Sequence, residues 1–389
     1  MIWFSRIVGG LPLKPSPKIR GLAFSITAFL WSAALVMLQE FLSSSVLYMY
    51  FMERQGGQTL HPFSRTTDFA ITLHVVSLQV TVAVVFFSSA RKYPRLVDVL
   101  DTLERVYRDH QCKTSEVKVT VKLWGICTIA LTLATIAAII TPSLEHGVFS
   151  VRELLIVLDF VFMSLLNCSE VSLFVHFTHV THIIAKCFRM VNARIRKELI
   201  SNVIERMHMN NTLPDVDFTR ANRTVLSRSK ELRTLMNTYW MLCDAVHQAN
   251  VFYCDQLMAV IFTSFVHVTI TFYYCFLNLT DGKVISFTTE GARVLNHIFY
   301  VFVLMNSSTD VTNSADETEV LICKFMNKDL DPILKKQLEG FLLQLPHHNA
   351  RFSALGYFPI NNETLTAMAG AVTTYLVILI QFQLQPSST

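Results

Sequence analysis

Residues 363–383 read ETLTAMAGAVTTYLVILIQFQ, a run whose single charge, Glu363, stands at its start. An α-helix rises about 1.5 Å per residue, so about 20 apolar residues cross the roughly 30 Å hydrocarbon core of a bilayer. This run meets that length. Six more do so upstream, at about 21–52, 68–90, 123–142, 151–180, 251–279 and 287–309. Inside lipid no water satisfies backbone N–H and C=O groups, so spans of this length are expected to be helices. The expected fold is an all-α membrane protein with seven transmembrane helices.

The totals agree. Of 389 residues, 52% are hydrophobic and only 16% charged, against about 25% charged in soluble domains, and the mean hydropathy is +0.41. Twelve Gly and eleven Pro exclude a low-complexity or fibrous chain, and no internal repeat is visible. The eight cysteines all fall in spans or in segments expected on the cytosolic side, so a disulfide framework is not expected. No CxxC pair offers the usual zinc spacing. A cleaved signal peptide is not expected either: the apolar run after Arg20 is too long for one and reads as the first span.

Direction follows from the basic residues, because Lys and Arg accumulate on the cytoplasmic side. Residues 1–20, 91–122, 183–250 and 310–362 hold 28 of the 33, and the alternate segments hold only Arg54, Arg65, Arg152, Lys283 and Arg293. The N-terminus is therefore expected in the cytosol and the C-terminal tail outside, opposite to a G-protein-coupled receptor. Spans four and five are expected to continue as helices well below the membrane, with a break at Asn210-Asn211-Thr212-Leu213-Pro214. Residues 315–345 place Leu321, Phe325, Leu334, Leu338, Phe341 and Leu345 among charges, which predicts one amphipathic cytosolic helix.

The last span ends on Thr374-Tyr375-Leu376-Val377-Ile378-Leu379-Ile380-Gln381-Phe382. This resembles the Thr-Tyr, five apolar, Gln-Phe signature that closes the last helix of insect gustatory receptors. Phe352-Ser353-Ala354-Leu355-Gly356-Tyr357-Phe358 and Ile360-Asn361-Asn362 resemble the stretch that leads into that helix. The layout of spans matches as well. The resemblance implies a tetrameric channel, homomeric or heteromeric with related receptors, whose pore is lined by the last helix. Thr374, Tyr375, Ile378, Gln381 and Phe382 are then the pore and gate residues, with an apolar ring at the outer end that blocks ions by dewetting. The organisation implied is 1–20 cytosolic, 21–310 the six ligand-binding helices with their cytosolic extensions, 311–384 an anchor helix plus the pore helix, and 385–389 outside. No ring of Asp or Glu lines the last span, so a weakly selective cation pore is expected. Leu376 replaces the acidic residue often found after the Tyr in the sugar clade, leaving bitter-like or fructose-type groups open. A multi-pass plasma-membrane protein of sensory neurons is implied.

Polar groups inside a span are costly, which makes each a functional candidate. In the outer halves, His267, Thr271, Tyr274 and Asn278 recur on one face of span five, and Arg293, Asn296, His297 and Tyr300 on one face of span six. Asp159 and Phe160 on span four, His74 on span two, and Tyr48 and Phe51 on span one complete the candidate pocket. Aromatic walls with a few hydrogen-bonding groups suit a small organic tastant; bonding between helices is the plainer role for any one of these residues. His176, His179 and His182 cannot all share one helical face, so no metal site is expected. No cofactor, no nucleic-acid partner and no catalytic set are expected, because nucleophile, acid–base pair and metal ligands cannot be assembled. Asn278, within an Asn-x-Thr sequon, is a glycosylation candidate. The alternative functions are a transporter, which would show paired repeats or broken spans, and a metabotropic seven-helix chemoreceptor, opposed by the inverted direction.

Overall fold

The computed structural model describes residues 13–16, 21–55, 65–109, 151–211, 218–282, 284–348 and 350–384. The third expected span, 123–142, lies outside the described residues. Among the described residues seven α-helices follow one another: α1 (Ile26–Gln55), α2 (Arg65–Asp109), α3 (Val151–Asn211), α4 (Phe218–Thr280), α5 (Val284–Met326), α6 (Pro332–Gln344) and α7 (Asn362–Leu384). A hairpin precedes them, with β1 (Leu13–Ser16) antiparallel to β2 (Gly21–Phe24), and a second one, β3 (Ser353–Ala354) with β4 (Phe358–Pro359), leads into α7.

Among the described residues, four stretches are long and apolar enough to cross a membrane: Ile26–Met52, Asp68–Arg108, Leu226–Thr280 and Asn362–Gln383. They contain expected spans one, two, five and seven. Span one starts later than the expected residue 21, because Gly21–Phe24 pair as β2 and Ser25 caps the helix through its Oγ, 3.4 Å from the Ala28 N–H. Span six lies in α5, where Asn296, His297 and Asn306 dilute the apolar run.

α3 and α4 have 61 and 63 residues, or about 90 Å each at 1.5 Å per residue, three times the hydrocarbon thickness. α3 ends at Asn211 and α4 begins at Phe218; most of the break expected at Asn210-Asn211-Thr212-Leu213-Pro214 lies outside the described residues. Two features differ from the sequence reading. α2 does not stop at the end of its apolar run but continues to Asp109 straight through Pro94. Residues 315–345 are not one helix: α5 runs on to Met326, and α6 starts afresh at Pro332. The Asp331-Pro332 pair explains the break. Proline at N1 has no N–H to donate, and the Asp331 side chain accepts from the Ile333 N–H at 2.8 Å.

The main core lies where α2 to α6 run together, in the half expected below the membrane. Phe177, Val180, Ile184, Phe188, Val191, Ile195 and Leu199 recur every three or four residues along α3 and are buried against Leu242, Val246 and Phe252 of α4 and Leu304 and Ile322 of α5. Polar residues fix how α3 meets α5. Asn192 donates to the Ser314 carbonyl (2.9 Å) and accepts from Thr318 (2.6 Å), while Arg189 pairs with Asp310 and Arg196 with Glu317 at the rim. The buried carboxamide sets register; the rim pairs are half exposed and contribute little.

α6 docks through Leu334, Leu338 and Phe341, through Gln337 to Ser229 (2.6 Å) and through Asn202, which accepts from the Asp331 N–H (3.1 Å). Leu338→Ala is therefore expected to destabilise the solubilised protein by about 2–5 kcal/mol, and the exposed Lys336→Ala by less than about 0.5 kcal/mol. Thermal melts of the two variants side by side would check the difference.

Candidate functional site

In the half expected to face outward, the helices bring together side chains that are far apart in sequence. His74 of α2 meets His267 of α4 edge-on, with ring centroids 4.2 Å apart. His267 lies 3.9 Å from His297 of α5. His297 in turn stands 6.1 Å from Tyr300, whose ring stacks on Phe174 of α3 at 5.3 Å. Four helices thus contribute to one continuous aromatic row. His267, Thr271, Asn296, His297 and Tyr300 are all buried. Tyr274 sits one turn beyond Thr271 and packs beside Ala70, Leu73 and Ile270.

Two polar atoms here stand out. Among the described residues, neither the Asn296 Oδ1 nor the Tyr274 Oη has a hydrogen-bond partner, although both atoms are buried. An orphaned buried acceptor or hydroxyl costs about 1–3 kcal/mol, and such groups persist where something else supplies the bond. A ligand with a hydroxyl, carbonyl or amine meets that requirement.

Not every sequence candidate joins the row. Tyr48 stands apart, its side chain 64% exposed; on the same helix Tyr50 bonds Asp68 of α2 at 2.6 Å. Asp159, Phe160 and Arg293 belong to α3 and α5, but their side chains lie outside the described residues. Sequence reasoning missed Phe174, an apolar residue with no mark to separate it from its neighbours. It also missed the bond from Tyr273 Oη to Gln383 Oε1 (2.9 Å), which ties α4 to the outer end of α7.

α7 has the opposite character. None of its apolar window is buried against the rest of the chain. Tyr375 is 54% exposed and Phe382 62%, and Thr374, Ile378 and Gln381 are exposed as well. Its threonines satisfy themselves on the helix: Thr373 bonds Ala369 O at 2.9 Å and Thr374 bonds Gly370 O at 3.0 Å. Asn361 caps the first turn by accepting from the Thr364 N–H at 3.0 Å. Positions 366, 370, 373, 377 and 381 share one face, as Thr, Gly, Thr, Val and Gln. Tyr375 and Phe382, seven residues apart, share another, and Tyr375 meets Phe265 of α4 edge-on at 5.8 Å.

Two clefts flank α7. One of about 250 Å³ is almost wholly apolar and lies between α4, α5 and α7, bordered by Phe265, Phe272, Ile298 and Met368. The other, about 510 Å³, lies near the start of α7 and is polar, with His182, Asn306, Asp310 and Asn362 among its walls. Burial holds the His182 imidazole below its ordinary pKa. The cations Arg189 and Lys186 push the same way, and Asp310 opposes them. Among the described residues, no group of three or more His, Cys, Asp or Glu side chains is placed to hold a metal ion.

The sequence model of the 7tm Chemosensory receptor family matches residues 1–386. Two curated Drosophila melanogaster proteins resemble the chain in part. Putative gustatory receptor 28b is 26% identical over 155 residues, 38% of this chain and 33% of that protein. Gustatory receptor for sugar taste 43a is 27% identical over 153 residues, 39% of this chain and 36% of that one. The match thus spans about a third of the length of either relative. In three dimensions the chain resembles the insect olfactory receptor OR5 from Machilis hrabei, with a TM-score of 0.67 at 12% identity over 98% of this chain and 96% of that one. The same receptor in complex with eugenol matches at a TM-score of 0.67 and 14% identity, with the same coverage.

Proposed function

Because the chain belongs to the 7tm chemosensory receptor family, we propose that it works as a gustatory receptor, a ligand-gated, weakly selective cation channel in the plasma membrane of sensory neurons. A small tastant binds in the outer half of helices one to six, among His74, His267, Thr271, Tyr274, Asn296 and Tyr300. Four chains assemble so that their α7 helices line one conduit.

The observation that carries this reading is the nakedness of α7. A helix of membrane length in which its own chain buries no residue of the apolar window needs other surroundings. Lipid alone does not account for the face Thr366-Gly370-Thr373-Gln381, because polar groups are disfavoured against hydrocarbon and small residues let helices approach closely. Four copies around an axis solve both problems: the polar face meets water, and the apolar flanks meet neighbouring helices. Gln381 then faces the conduit, with Phe382 about 100° round the helix on its shoulder. Ligand binding shifts the population toward an open state only in so far as that state binds more tightly.

Whole-cell recording on cells expressing the chain tests the proposal, with fructose, denatonium and eugenol as the first probes. A cation current that follows one of them, and that Gln381→Lys suppresses, is the expected result. Uptake of the probe without current would point to a transporter instead.

A further inference from the structure

The connection from α6 to α7 is gripped by three of the four helices that form the aromatic row. α5 holds it by Thr312, whose hydroxyl donates to the Ala350 carbonyl at 3.3 Å. α3 holds it by Phe177, whose ring meets Phe352 edge-on at 5.1 Å and Tyr253 of α4 at 5.2 Å; Phe352 is 1% exposed. α4 holds it by Asn250, which engages Ser353 twice. The Asn250 Oδ1 accepts from the Ser353 N–H at 2.9 Å, and its Nδ2 donates to the Ser353 Oγ at 3.4 Å.

From that grip to α7 the chain has no slack. Ala354 O accepts from the Tyr357 N–H at 3.0 Å across a turn in which Leu355 and Gly356 both have positive φ, 52° and 79°. The Ile360 N–H returns to Phe352 O at 3.0 Å, and the next residue, Asn361, caps α7. Upward, each gripping helix carries part of the row: Phe174 lies one turn from Phe177, His267 seventeen positions from Asn250, and Tyr300 twelve from Thr312.

We propose that Asn250, with Phe352 as its apolar partner, is the latch that fixes α7 to the ligand-binding helices, so that a shift of α4 against α3 and α5 moves the start of α7. Helices and hydrogen-bonded hairpins transmit displacement because neither stretches, whereas a slack loop would absorb it. Asn250 is a positioning residue: it touches neither the ligand row nor the conduit. The gating half of this proposal rests on the channel reading above; the mechanical half does not.

The test uses the full chain in lipid nanodiscs and in cells. Amide hydrogen exchange in the first two turns of α7 is expected to rise about tenfold in Asn250→Ala, from the loss of two hydrogen bonds, with melting temperature nearly unchanged. Asn250→Asp, which keeps the acceptor for the Ser353 N–H, is expected to restore most of the protection. Ser353→Ala is expected to be non-additive with Asn250→Ala. In cells, Asn250→Ala is expected to lower the maximal probe-evoked current, and in a Phe382→Ala background to alter the resting current. Faster exchange confined to residues 350–361, with α7 unaffected, overturns the latch even if the chain conducts. Altered exchange in α7 without any current leaves the latch standing and counts against the channel reading.

Discussion

Phe382→Ala raises the resting current of cells expressing this chain about tenfold or more, with no ligand added. In a single chain Phe382 is 62% exposed, at the outer end of a helix whose apolar window holds no buried residue. In the proposed assembly its cover comes from the equivalent helices, and each closed subunit buries a phenyl group. Full burial of such a side chain stabilises by about 1.5–3 kcal/mol, and about 1.4 kcal/mol is a factor of ten in an equilibrium. Truncating all four rings therefore tilts the closed–open balance strongly toward open. It also widens the apolar constriction that excludes ions by dewetting. Gln381→Ala, altering the neighbouring polar position, is expected to change single-channel conductance more than resting open probability. A Phe382→Ala protein that surface biotinylation finds in normal amounts, and that stays silent at rest, places the gate elsewhere.

The second large effect concerns the row of rings between α2, α4 and α5. Asn296→Ala and Tyr274→Ala are each expected to raise the half-maximal concentration of an activating probe by about three- to tenfold, the worth of one hydrogen bond of about 0.5–1.5 kcal/mol. Both side chains present buried polar atoms that no described residue satisfies. A ligand that satisfies them loses that bond in either variant; Asn296→Ala relieves the apo protein of an orphaned group, whereas Tyr274→Ala also removes a ring packed beside Ala70, Leu73 and Ile270 and lowers its stability. For Asn296 the two signs together are diagnostic: weaker activation with equal or higher melting temperature. Concentration–response curves that superimpose on the parent for both variants would move the ligand to another part of the bundle.

Much of this was legible from residue order because hydropathy and charge act along the chain. Twenty apolar residues reach across a bilayer whatever their neighbours do, which is why expected spans two, five and seven, and span one from Ile26 on, lie inside stretches able to cross one. The sequence reading failed where two local rules compete. Pro94 gave no hint that α2 would carry on past it to Asp109. Asp331-Pro332 lay inside an amphipathic pattern that reads as continuous at 3.6 residues per turn, yet proline at N1 starts a helix rather than continuing one.

The sequence by itself determined that the chain carries apolar helices long enough to cross a membrane and, through the C-terminal Thr-Tyr and Gln-Phe pairs, the family. Only the tertiary structure decided which polar residues meet: His74, His267 and His297 come from three helices up to 223 positions apart. Tyr48 and His74 look equally eligible on a helical wheel, and only one of them reaches the row. The reason is that a helix fixes the direction of each side chain relative to its own axis, while the rotation of that axis against its neighbours is set by packing over its whole length. The same packing fills α3 against α4 and α5 and leaves no residue of the α7 window buried, which is the ground for proposing that the helix carrying the family signature finds further partners in other chains.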